Sequence, residues 1–336
     1  MNKIVTRLFE DAYSKRVPLI ATIEITNNCN FRCVHCYLNE KRNDYLSYDN
    51  VTKFIDQFCT LGGMYLTITG GEPLLHPQFL DIYKYAIKKG LVITLFTNAS
   101  LITDDIIHIL SAYKPRRIEI TLYGYTNDTY QKVTGEHKIN IDKILKNIVK
   151  IKNAGIEILV KVFVLKDNYM DVEEIIQFVH DNKLKIKMDY LIIDRNKSRI
   201  EANQIYFNQI KEILIKQDEV DANENLNNYM NQNAGNSLYQ CGAGRTSCWV
   251  KPNNSVQMCN FLEYTAYSLS RYSFKDIWEK YSIYLEESRD REDTVCKACS
   301  YKKVCRNCPG LTYGYTGKEN RIEKVEKLCD DAIALS

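Results

Sequence analysis

Cys29-Asn30-Phe31-Arg32-Cys33-Val34-His35-Cys36-Tyr37 follows directly on the β-branched run from Leu19 to Thr26. Three thiols spaced four and three residues apart on one short loop can hold three corners of a four-iron cubane, which needs four ligands in all. That leaves one iron for a ligand from elsewhere. Zinc is the competing reading, because it also takes thiolates and His35 stands beside Cys36.

Outward from this loop, short β-branched runs alternate with amphipathic stretches. Strands are predicted at 19–26, 64–69, 92–97, 117–122, 156–165 and 186–193, and helices near 49–60, 78–89, 103–112, 126–133, 141–153 and 171–182. Strict alternation implies a parallel sheet covered by helices. Six such units predict an α/β fold, a partial (β/α)6 TIM-like barrel, whose active-site groups sit at the C-terminal ends of the strands. The cysteine loop follows the first strand, as that rule requires. Residues 200–217 read as a helix, and 221–239 are rich in Asn with few apolar anchors. The expected organisation is a barrel over 1–195, a helical and Asn-rich linker over 196–240, and a small cysteine-rich domain over 241–336. Within the last, 249–251 and 255–258 read as a hairpin, and 274–285 and 320–333 as helices.

The chain has 336 residues, 45% hydrophobic and 26% charged, which suits a globular protein with a full core. A net charge of +3 is too small to point to nucleic acid. Charges interrupt the N-terminus before a signal sequence could form, and no run approaches the ~20 apolar residues of a membrane span. A cytoplasmic location is expected, with no membrane partner. The 12 cysteines are absent from 60 to 240 and crowded at the two ends, a distribution that suits metal binding in a reducing compartment.

Gly70-Gly71-Glu72-Pro73 stands immediately after the second strand. Paired glycines allow a sharp bend and a close approach of backbone to ligand, and exposed amides with a carboxylate suit an ammonium group. Together with the C-x3-C-x2-C loop, this motif resembles the radical SAM superfamily. The resemblance implies that Cys29, Cys33 and Cys36 hold a [4Fe-4S] cluster whose remaining iron is chelated by S-adenosylmethionine. It also implies that Gly70, Gly71, Glu72 and Pro73 contact the methionine amino group. Thr97-Asn98 resembles the family's Thr-Asn-Gly, with Ala99 in place of the glycine, so Asn98 is carried over as a cofactor contact. Thr121-Leu122-Tyr123-Gly124 stands where relatives often have Ser-Leu-Asp-Gly, and Thr121 is carried over as a ribose contact. For both strand ends, a polar terminus without a ligand remains the alternative.

The C-terminal thiols are Cys241, Cys248, Cys259, Cys296, Cys299, Cys305, Cys308 and Cys329. Eight thiols equal the demand of two further four-iron clusters, and two zinc sites are the alternative. With Cys241-Gly-Ala-Gly244 and the hairpin leading to Cys259, the region resembles the SPASM extension of peptide-modifying radical SAM enzymes. By that resemblance Cys241, Cys248, Cys259 and Cys308 hold the auxiliary cluster nearer the active site. Cys296, Cys299, Cys305 and Cys329 hold the outer one. Cys59 is left over, read as a buried helix thiol rather than a hydrogen-atom donor. Asn260 stands where sulfatase-maturing relatives have an aspartate base, and an amide cannot accept a proton at neutral pH.

The expected function is reductive cleavage of S-adenosylmethionine to a 5'-deoxyadenosyl radical. The radical then abstracts a hydrogen from a ribosomally made peptide, leaving a crosslink or an oxidised residue. The expected cofactors are three [4Fe-4S] clusters and S-adenosylmethionine, with a flavodoxin- or ferredoxin-type donor. About 18 residues precede the first strand, so the precursor peptide is expected to be recognised by a separate leader-binding protein or by the barrel and SPASM regions themselves. The alternatives are a small-molecule or tetrapyrrole oxidoreductase, a sulfatase-maturase-like enzyme, and a non-catalytic iron-sulfur or zinc protein. No residue is singled out as the catalytic acid or base.

Overall fold

The structure, a computed structural model, describes residues 3–38, 44–190, 238–239, 241–288, 294–302 and 305–335. The chain divides into two compact units. One holds the described residues of Met1–Thr22, Asp56–Gly63 and Asp221–Ser336, and the other those of Ile23–Ile55 and Met64–Val220. The predicted helix at 200–217 lies outside the described residues, as does the linker at 196–240 apart from Leu238 and Tyr239.

The second unit is the α/β barrel unit. Its strands are β1 (Ile20–Glu24, whose first residues fall in the other unit), β2 (Tyr65–Thr69), β3 (Val92–Thr97), β4 (Arg117–Thr121), β5 (Ile158–Phe163) and β6 (Lys185–Asp189). They lie in the order β6-β5-β4-β3-β2-β1, and β2 to β6 pair in parallel through registers such as Tyr65 with Val92 and Thr121 with Lys161. Sequential parallel strands joined by helices make the predicted partial (β/α)6 barrel.

Helix boundaries follow local chemistry. Thr103, Thr126 and Asn140 cap three helices by accepting from Ile106 N, Thr129 N and Lys143 N. Gly135 closes the helix Asn127–Thr134 at φ +65°, a conformation that costs glycine little. The helix Ile141–Asn153 buries Ile141, Ile144, Ile148 and Ile151 at helical spacing, each contributing about 1.5–3 kcal/mol. On the strands, alternation sends Ile118, Ile120, Val160 and Val162 to one face, all buried. The opposite face carries Arg117, Glu119 and Lys161.

The other unit contains the N-terminal helix α1 (Lys3–Lys15) and the antiparallel strands β7 (Ser247–Lys251), β8 (Ser255–Gln257) and β9 (Tyr267–Ser268). A long helix, Phe274–Glu287, opens with a Ser273–Asp276 capping box and buries Phe274, Ile277, Trp278, Tyr281 and Leu285. Trp278 Nε1 donates to Arg16 O, which ties the segment after α1 to this helix. The last helix begins at Glu326, six residues later than periodicity predicts. Asn320 has φ +55°, and its side chain accepts from the Tyr239 hydroxyl at 3.2 Å, so a tertiary contact holds it out of helical geometry. Helices α1 and Pro309–Thr316 add to the predicted set; α1 is amphipathic and buries Phe9, Ala12 and Tyr13, whereas Pro309–Thr316 carries little periodicity. No helix among the described residues is long and apolar enough to cross a membrane.

Candidate S-adenosylmethionine and iron-sulfur site

The ends of β1 and β2 are stitched together by backbone. Ile25 N donates to Thr69 O at 3.0 Å, Gly71 N to Thr26 O at 2.9 Å and Glu72 N to Asn28 O at 2.7 Å. The glycines are required by this approach. A Cβ on Gly70 would overlap Thr26 O, and one on Gly71 would overlap Asn28 O. The two sequence motifs therefore form one object, with Cys29 emerging directly from the stitched segment.

Glu72 fixes the next strand to it. Its Oε1 accepts from Thr97 Oγ1 at 2.7 Å and Leu74 N at 3.2 Å, and its Oε2 accepts from Asn98 N at 2.7 Å. The residue is fully buried. Desolvation pushes its carboxyl up to about 7, although all three hydrogen bonds favour the charged form. Glu72 thus works as an internal brace. Pro73 is buried at the start of the single turn Pro73–Leu75, where a missing N–H costs nothing.

Asn98 reaches the cysteine loop. Its Nδ2 donates to Asn30 Oδ1 at 3.0 Å, and its Oδ1 accepts from Ser100 N at 3.0 Å and from Ser100 Oγ at 2.6 Å. Ala99 has φ +59°, a left-handed conformation that favours glycine. Thr121 stands half-buried at the end of β4.

The far side of the loop hangs on the helix Asn127–Thr134. Arg32 N donates to Thr134 O at 2.6 Å and Val34 N to Val133 O at 2.9 Å. Cys29, Cys33 and Cys36 are all partly buried. Phe31 N donates to Cys29 Sγ at 3.4 Å, the kind of amide-to-sulfur bond that supports a cluster thiolate. His35 stacks on Phe163 with ring centroids 5.3 Å apart, and burial pushes its imidazole down to about 4. Its Nδ1 is buried without a protein partner, as a loop built around a bound group would leave it. His76 is structural: its Nδ1 accepts from Gln78 N at 3.1 Å, and its Nε2 lies 3.0 Å from Leu46 O.

Sequence reasoning missed the ionic cluster on the polar face. Glu119 Oε1 accepts from Arg117 Nε at 2.8 Å, and Glu119 Oε2 lies 2.8 Å from Lys161 Nζ. The Lys161 ammonium also sits 3.6 Å above the Phe96 ring. Burial lowers the Lys161 pKa, and Glu119 opposes that shift. The only available signal was charge at alternate positions inside β-branched runs.

In the cysteine-rich unit, burial and then the neighbouring Cys241 push the Cys308 thiol up to about 11. Cys329 is raised by burial and then by Cys305, with Cys299 adding. Leu311 N donates to Cys308 Sγ at 3.4 Å, capping the helix Pro309–Thr316. Cys248 is buried beside Tyr281, and burial raises its thiol. Lys251 Nζ donates to Asn260 Oδ1 at 3.2 Å. Cys59 is partly buried near the end of the helix Tyr48–Thr60. Among the described residues no three His, Cys, Asp or Glu side chains converge closely enough for a single metal ion, as tetrahedral zinc demands.

Residues 23–179 match the Radical SAM superfamily. An AdoMet-dependent heme synthase from Methanosarcina barkeri is 23% identical over 333 residues, covering 89% of this chain and 93% of the relative. The mycofactocin maturase MftC of Mycobacterium tuberculosis is 24% identical over 307 residues, covering 86% and 77%. Streptococcus suis SuiB bound to its precursor peptide SuiA superimposes with a TM-score of 0.73 at 18% identity, covering 96% of this chain and 79% of SuiB. With the cysteine loop and Gly-Gly-Glu-Pro turn joined at the strand ends, residues 23–179 form a radical SAM domain, and a cysteine-rich C-terminal region follows it.

Proposed function

We propose that this chain is a radical SAM/SPASM enzyme that oxidatively modifies a ribosomally made peptide by hydrogen-atom abstraction. The observation that carries the reading is the interlock of Thr26–Asn28 with Gly70–Glu72, which holds Cys29, Cys33 and Cys36 on a loop at the C-terminal ends of the strands. Those three thiols would hold a [4Fe-4S] cluster with one open iron. The eight C-terminal thiols would hold two more. When bound, the cluster and S-adenosylmethionine would supply a 5'-deoxyadenosyl radical to take one hydrogen atom from the substrate, and the substrate's second electron would pass to an auxiliary cluster with its proton released to solvent.

The chain's own residues then orient and shield. Gly70 and Gly71 let backbone approach the methionine end, and Asn98 and Thr121 border the same strand ends. The buried brace at Glu72 keeps the three loops in register, so the reacting groups meet a preformed site. The precursor peptide is the proposed partner, consistent with the likeness to SuiB in its peptide complex and to MftC. Lys251 holding Asn260 at the position of the sulfatase-maturase aspartate disfavours that sub-class.

A second reading is a tetrapyrrole oxidoreductase, favoured by the likeness to heme synthase across 93% of that relative. Anaerobic reconstitution followed by incubation with S-adenosylmethionine and reductant tests both. About twelve irons per chain and release of 5'-deoxyadenosine are expected. Coexpression with small precursor peptides encoded nearby should give a peptide lighter by two hydrogens. Mass change in an added iron tetrapyrrole, with every peptide unchanged, would favour the second reading. Zinc without iron after anaerobic purification would overturn both.

A further inference from the structure

Tyr123 occupies the aspartate position of the family's Ser-Leu-Asp-Gly, and the structure gives that departure a place. The residue is held from both ends of its peptide. Leu122 N donates to Lys161 O at 2.9 Å, and Asn168 Nδ2 donates to Tyr123 O at 3.1 Å. Asn168 is itself buried and locked, since its Oδ1 accepts from Leu165 N at 2.8 Å. With the backbone fixed, the ring lies against the cysteine loop. Its centroid is 5.9 Å from Phe31, edge-on, and 5.7 Å from His35. Val34 packs in the same cluster, and Tyr130 meets the ring edge-on at 5.6 Å. The hydroxyl is thereby delivered to the Cys33 thiol, its hydrogen-bond partner. An aspartate is too short to make these contacts and would bring negative charge toward the thiolates.

We propose that the Tyr123 hydroxyl donates a hydrogen bond to Cys33 Sγ and thereby raises the reduction potential of the cluster held by Cys29, Cys33 and Cys36. The inference rests on the cluster reading of that loop. Hydrogen bonds to cluster sulfurs withdraw electron density and stabilise the reduced form, which carries one more negative charge. Phe31 N already serves Cys29 Sγ in this way, so Tyr123 supplies a second thiolate with a donor. Tyr123 is a positioning and tuning residue: it acts through Cys33.

The test is EPR-monitored potentiometry on the reconstituted full chain, following the reduced-cluster signal that changes when S-adenosylmethionine is added. Tyr123→Phe keeps the ring packing and removes only the hydroxyl. The expected result is a roughly tenfold fall in the reduced-to-oxidised ratio at fixed potential, a shift of about 59 mV to more negative values for one electron. Tyr125→Phe, on the same loop but packed against Phe178, should leave the potential where it is. An unmoved potential in Tyr123→Phe, or an equal shift in Tyr125→Phe, overturns the proposal while leaving the cluster reading intact. Failure of the wild-type chain to assemble an S-adenosylmethionine-responsive cluster overturns both. Should Tyr123→Phe assemble poorly, ENDOR on wild-type protein grown on ring-deuterated tyrosine decides the matter. Deuterium coupling to the reduced cluster in wild type supports the contact, and its absence overturns it.

Discussion

The cysteine loop after β1 and the cysteines beyond residue 241 offer the same ligand chemistry on very different supports. Cys29, Cys33 and Cys36 sit on a loop bonded to β2 on one side and to the carbonyls of Val133 and Thr134 on the other. Asn98 and Glu72 brace it further. Around Cys296, Cys299 and Cys305 the described backbone offers one four-residue helical turn, Thr294–Lys297, and isolated turn bonds such as Cys299 N to Cys296 O. The first region is organised by protein before any cluster arrives. Around Cys296, Cys299 and Cys305 the described residues carry little regular structure, so a group ligated there would contribute more of the local folding free energy.

The largest expected effect breaks this comparison directly. Cys329→Ser should lose about four irons per chain and render the region beyond residue 290 sensitive to protease. The loss is on the scale of the ~10 kcal/mol typical of structural metal sites. Cys33→Ser should lose as many irons yet leave the barrel unit as resistant as wild type. Iron analysis with limited proteolysis reads both, and equal proteolysis of the two variants would erase the distinction.

Next comes the interlock. Gly71→Ala forces a methyl group onto Asn28 O and should destabilise the chain by about 3 kcal/mol, as overpacking against backbone does. Denaturant unfolding measures that loss, and equilibrium binding should show weaker affinity for S-adenosylmethionine.

Glu72 sharpens the picture through pH. Its folded-state pKa is raised to about 7, so between the usual carboxylate range and pH 7 the folded state holds more protons than the unfolded one. Its contribution to stability is therefore full at pH below about 4.3 and declines as pH rises through 7. Thermal unfolding of the apo chain should show that decline, and Glu72→Gln should flatten it. A slope unchanged in Glu72→Gln would assign the titration to another group. The smallest effect is at Ala99. Replacement by glycine relieves the left-handed strain but removes a buried methyl and frees the unfolded chain, so stability should change by less than about 0.5 kcal/mol.

Much of the barrel was legible because its signals are local. Val92–Thr97 and Ile141–Asn153 appear where β-branched runs and four-residue isoleucine spacing place them. Cysteine spacing and Gly70-Gly71 were legible for the same reason. Helix Pro309–Thr316 was not, because its N-cap is the Cys308 sulfur and it contains two glycines, poor helix formers. The late start of the last helix depends on Tyr239 and Tyr264, which hold Asn320 from 81 and 56 residues away.

The sequence alone determined the thiol spacing, the alternation of strand and helix, and the paired glycines at 70 and 71, since these are properties of short stretches. Only the tertiary structure decided how those pieces act on one another. Glu72 reaches Thr97, Asn98 and Leu74 with its carboxylate and so braces β2 against β3. Arg117, Glu119 and Lys161 gather on one face because parallel register places β4 beside β5. Tyr123 meets Cys33 across 90 residues of chain for the same reason. Hydrogen bonds and ion pairs depend on distances of about 3 Å, and distances between remote residues are set by packing.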